Sequence, residues 1–216
     1  MCLVSLRKLP AIIAVGLFFA LASSASASSF TLQDTNLTGV SNVGAVIVTN
    51  TGTGQVTVTI TMNAGFSIKL NGGDVAFNGP MGLTAGSVAG LTAASGTNTY
   101  SGLIFKGFKT FQNISQFGTF DFDYTNIKGA PGGVVSADSL TFMLSGSGLK
   151  ESQFTSFAIH FCTASGTNCG PSTGFATNGP TTATPEIGSL GMFGTGLLAI
   201  GTLVRRSVVK AFHTSE

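Results

Sequence analysis

The sequence predicts an all-β chain: an antiparallel β-sandwich or jelly-roll-like domain of about nine strands, with an apolar targeting segment at each end. Three observations predict it. Between the apolar ends, hydrophobic residues recur with a period of two rather than about 3.6, the repeat of a strand with one buried face. Glycine, 30 of 216 residues, divides those runs into short lengths, as turns between strands require. Charge is scarce, with 10 Lys and Arg against 8 Asp and Glu, so serine, threonine and asparagine make the polar surface.

Residues 1–27 read as a secretory signal. Arg7 and Lys8 supply the charge, Ala11 to Leu21 the apolar centre of a short helix, and Ala25-Ser26-Ala27 an A-x-A site for cleavage after Ala27. Signal peptidase is therefore an expected partner, and the mature chain is expected to begin at Ser28.

The exported domain, residues 28–177, begins with weaker strands at Phe30 to Leu37 and Gly44 to Thr49. Val56, Val58, Ile60 and Met62 then alternate with Thr57, Thr59 and Thr61, which places aliphatic side chains on one face and threonines on the other. Phe66, Ile68 and Leu70 follow after Asn63-Ala64-Gly65, a spacing that predicts a hairpin between these two runs. Asp74 to Phe77 is another weak strand. From Pro80 to Asn98 the residues are small and irregular, and the expectation is a long surface loop. Tyr100 to Phe105 leads into Phe105, Phe108 and Phe111, whose spacing of three around Gly107 suggests a bent strand or bulge. The clearest alternations complete the domain: Phe120, Phe122, Tyr124; Leu140, Phe142, Leu144; Phe157, Ile159, Phe161; then a short strand at Thr173 to Thr177. Fourteen of the 18 phenylalanines lie here and are expected to fill the space between the sheets, since tryptophan is absent.

Composition excludes several functions for this domain. Its five lysines face six acidic residues and it has no arginine, so it offers no basic patch for nucleic acid. Cys162 and Cys169 remain after loss of Cys2, and in an oxidising compartment they are expected to form a disulfide, because C-x6-C is neither a zinc spacing nor C-x-x-C. His160, the domain's one histidine, shares a strand face with Ala158 and Cys162; it supplies neither a ligand cluster nor a catalytic array. Asp121 and Asp123 share a side of one strand and are expected to face solvent; calcium would require Asp138 or loop carbonyls beside them. Gly170-Pro171-Ser172-Thr173-Gly174 satisfies G-x-S-x-G, but a nucleophile elbow needs a strand before the serine and a helix after it. No metal, cofactor or catalytic residue is expected.

Residues 178–186 form a linker held extended by Pro180 and Pro185. Residues 187–204 then run without charge from Ile187 to Val204, enough for a helix of roughly 27 Å, close to the thickness of a bilayer core. Arg205 and Arg206 close it and, by the positive-inside rule, keep the 205–216 tail in the cytoplasm.

This order of Pro185-Glu186, a glycine-punctuated apolar helix and Arg205-Arg206 resembles the PEP-CTERM sorting signal of Gram-negative surface proteins, with Ile187 where that family has its second proline. The resemblance covers about the last thirty residues. It implies inner-membrane anchoring during sorting, processing by an exosortase, delivery to the cell surface or extracellular matrix, and exopolysaccharide as a partner. The expected role is therefore that of a non-enzymatic exported protein. The alternative is an uncleaved, membrane-anchored carbohydrate-binding or adhesin module, for which Tyr100 and Tyr124 are the available aromatic platforms. The scarcity of charge on so many β-forming segments also raises self-association through sheet edges.

Overall fold

The computed structural model describes residues 26–129, 134–163 and 169–178. The signal segment before Ser26, the linker beyond Asn178, Pro185, Glu186, the 187–204 run, Arg205 and Arg206 lie outside the described residues. Among the described residues, no helix is long and apolar enough to cross a membrane.

Fourteen strands are described: β1 (Ala27–Leu32), β2 (Asp34–Thr35), β3 (Gly44–Gly52), β4 (Gln55–Met62), β5 (Ser67–Lys69), β6 (Asp74–Asn78), β7 (Val88–Ser95), β8 (Asn98–Tyr100), β9 (Ile104–Asn113), β10 (Thr119–Lys128), β11 (Ser136–Ala137), β12 (Ser139–Ser145), β13 (Ser156–Cys162) and β14 (Thr173–Thr177). Every pairing between them is antiparallel. One sheet has the order β1-β3-β4-β12-β7-β8; in the other, β11-β5-β13-β6-β10-β9 is extended by β14 on β13 and β2 on β14. Because Cys162 and Phe161 pair with both β14 and β5, and Ile159 and Ala158 with both β14 and β6, β5 and β6 lie end to end along the same side of β13. Residues 70–73 loop out between them.

The count exceeds the expected nine, and four of the pairing segments, β2, β5, β8 and β11, are only two or three residues long. Three further expectations are corrected. The runs at Val56 and Phe66 do not form a hairpin: β4 pairs with β3 and β12, whereas β5 joins the other sheet, so Asn63-Ala64-Gly65 carries the chain between sheets. The 80–98 segment is not all loop, since Val88–Ser95 pairs with β12 around an irregularity at Gly90, which has φ 62°. Its small side chains suit a strand packed beside the bulky Leu140-Phe142-Leu144 face. Finally, the run from Phe30 to Leu37 breaks at Gln33, and its two halves serve different sheets.

The alternation sets the packing. Val56, Val58 and Ile60 are fully buried, while Thr57 and Thr59 are half-buried and Thr61 is exposed on the outer face. One core lies between the sheets, bridged by Phe30 against Phe157 (5.1 Å between ring centroids) and Phe105 against Phe142 (5.6 Å). Phe77 packs on Phe122, Tyr124, Phe154 and Phe157 at its centre.

A departure from alternation is present around Gly107, where a bent strand or bulge is expected. Asn126 on β10 has φ 59° and sits opposite Lys106, so alternation slips on both strands together. Phe105 and Phe108, three apart, thus both reach the core, as do Tyr124 and Ile127. A side chain at position 107 would collide with the Thr125 hydroxyl, which is why glycine stands there.

Candidate functional site

The titratable side chains gather on the outer face of the second sheet. Registers place them in two neighbouring rows. Lys109 is opposite Asp123, which is opposite Ala76, then Ala158 and Thr177. In the next row Gly107, Thr125 and Asp74 lead to His160, one step beyond the Ile159–Val75 pair, and then Phe175. Lys69 approaches His160 from β5, one step beyond the Phe161–Ile68 pair. The loop at 70–73 therefore brings both Lys69 and Asp74 to the histidine. Gly73 permits it, because a Cβ there would strike the Lys69 carbonyl oxygen.

His160 stacks on Phe175 with 4.5 Å between centroids, and its Nδ1 lies 3.9 Å from Asp74 Oδ2, an approach without a hydrogen bond. Burial, reinforced by Lys69 and partly opposed by a hydrogen bond with the Gly72 backbone, lowers its pKa to about 4. The ring is consequently neutral at pH 7, and the contact is not an ion pair there. Burial also raises Asp74, against the pull of the Asn126 backbone, Lys109 and Lys69. Asp123 is 4% exposed with Oδ1 lacking any hydrogen-bond partner. Its pKa rises to about 6, chiefly through burial and then through Asp74, with Lys109 opposing. The expectation that Asp123 faces solvent is thus corrected.

Its cross-strand neighbour Ala76 belongs to a second, smaller apolar cluster outside the sandwich. The turn Ser115–Phe117 folds back so that Ile114 and Phe117 join Phe120, Phe175 and the alanines Ala76 and Ala158 on this face. Asn36 pins the turn, donating from Nδ2 to Ser115 Oγ (3.0 Å) and accepting from the Phe175 backbone N–H at Oδ1 (2.8 Å). Beside it lies an open depression of about 520 Å³ lined by Gln33, Asp34, Thr35, Val40, Ser41, Gln116 and Phe117.

The face can take up and release protons, but the side chains around His160 are Lys69, Asp74 and Phe175, none of them a hydroxyl or thiol nucleophile. Among the described residues no group of three His, Cys, Asp or Glu is placed to hold a metal. The carboxylates considered for calcium are dispersed. Asp121 accepts from the Gly79 N–H and ties β10 to the end of β6; Asp138 accepts from Ser95 Oγ and the Gly96 N–H at the β7–β8 turn. Ser172 precedes β14, so no helix leaves it as an elbow would need. Cys162 and Cys169 are joined, with Cα atoms 5.2 Å apart, linking the end of β13 to the approach to β14. Ala27 is the first residue of β1, opposite Thr49.

Tyr124, one of the two proposed aromatic platforms, is core: it is 1% exposed and donates its hydroxyl to the Thr84 carbonyl at 2.6 Å. Sequence reading missed Asp74 and Phe175 as neighbours of His160. The available signal was Ala76 and Ala158 at positions where an open face would carry polar residues. Comparison with known proteins finds no matching family model, no matching curated protein and no matching solved structure.

Proposed function

We propose that this chain is an exported, non-enzymatic protein of the cell surface or extracellular matrix, delivered by a PEP-CTERM-like signal. The observation that carries the reading is the order Pro185-Glu186, uncharged Ile187–Val204, Arg205-Arg206 behind a β domain with its own core. The domain's disulfide supports it, since such bonds persist in oxidising compartments. In this reading the nine-strand jelly-roll expectation gives way to a two-sheet sandwich with short accessory strands. Signal peptidase acts after Ala27, the 187–204 helix holds the chain in the inner membrane, and an exosortase acts near Glu186. Exopolysaccharide is the proposed matrix partner, and no cofactor takes part.

Mass spectrometry of the mature chain from its native host tests this. A C-terminus near Glu186 is the expected result. A chain ending at Glu216 would reduce the segment to a permanent anchor and overturn sorting.

A further inference from the structure

We propose that β9 is a self-association edge, through which two copies of this chain join antiparallel about a two-fold axis. Of the strands that end a sheet, β9 is the longest, ten residues against six for β1 and three or two for β8, β2 and β11. It pairs with β10 on one side, and among the described residues no other backbone–backbone hydrogen bond reaches Ile104–Asn113, although the Gln112 side chain donates to the Thr110 carbonyl at 3.0 Å. An open edge is a template for another strand. Since no other terminal strand matches β9 in length, the fitting partner edge is β9 of a second copy, and such a contact closes on itself as a dimer.

Two large apolar side chains mark the ends of this edge: Ile104 is 47% and Phe111 58% exposed. Phe111 is held out at a cost, because its φ of 52° lies in the left-handed region that bulky residues avoid. Register decides how two copies meet. Centred on Phe108, antiparallel pairing sets Lys106 opposite Thr110 and Lys109 opposite Gly107, so the lysines stay apart. Half a step away, centred between Gly107 and Phe108, Lys106 would oppose Lys109 directly, which like charge disfavours. The lysines thus disfavour particular registers rather than blocking the edge.

The test is sedimentation equilibrium of the full chain in detergent solution, with Phe111→Asn and Phe111→Gly as variants. Both replacements tolerate the left-handed backbone, so the fold should retain its melting temperature. A monomer–dimer equilibrium in the wild type, shifted at least tenfold toward monomer in both variants, is expected. Amide exchange in the wild type should slow along Ile104–Asn113 as concentration rises. A wild type that stays monomeric, a dimer that persists in both variants through its apolar 187–204 run or elsewhere, or concentration-independent exchange along β9 would each overturn the proposal.

Discussion

Asp123 and His160 occupy one sheet face yet respond to pH in opposite senses. Folding raises Asp123 from 3.8 to about 6, so its contribution to stability is present below pH 4 and is lost as pH rises through 6. Folding lowers His160 from 6.5 to about 4, so its contribution is present above pH 6.5 and is lost as pH falls through 4. Each has a limiting slope of about 1.4 kcal/mol per pH unit, with opposite signs, and between pH 4 and 6 they largely cancel. Asp74, also raised, acts in the sense of Asp123. Asp123→Asn should therefore give urea midpoints that climb from pH 4 to 6, and His160→Gln midpoints that fall. Profiles parallel to wild type in both variants would remove this account. Strand parity in the sequence assigned both residues to the outer face. It missed the apolar cover on that face because Ile114 and Phe117 come from a turn about forty positions from either alanine in the same cluster.

Elements with uninterrupted alternation were legible: β4, β12 and β13 lie where Val56–Met62, Leu140–Leu144 and Phe157–Phe161 predict, and β14 occupies the weaker run at Thr173–Thr177. Partnership was not, because a period of two specifies a buried face and says nothing about which sheet supplies the neighbour. The β4 and β5 runs show this: adjacent in sequence, they stand in different sheets. β7 was missed for another reason. Val88-Ala89-Gly90-Leu91-Thr92-Ala93-Ala94-Ser95 has weak β propensity, and pairing with the strongly apolar β12 overrides it. The disulfide between β13 and β14 belongs to this scale. Cys162 is fully buried, and closing so short a loop should stabilise the fold by about 2.5 kcal/mol on a chain-entropy basis. Replacing both cysteines with serine should lower urea stability by about that amount, plus a cost for the buried hydroxyl at position 162. A stability equal to that of the oxidised wild type would show that the β13–β14 pairing needs no covalent tie.

Both sheets draw on one core, so the described domain should unfold as one cooperative unit. Phe142 tests this because it belongs to the first sheet and packs edge-on against Phe105 of the second. It is fully buried, and truncation removes the ring where neighbours on both sides are fixed by their own strands. Phe142→Ala should therefore cost about 3–5 kcal/mol, more than the lost transfer energy alone, since the cavity can collapse only partly. Cooperativity adds a sharper expectation: amide protection should fall by the same free energy on β4 in one sheet and on β13 in the other. If β4 loses protection while β13 keeps it, the sheets are separate folding units and the shared phenylalanine layer is a contact rather than a common core. Equal losses, together with one urea transition followed alike by fluorescence and circular dichroism, would establish a single unit.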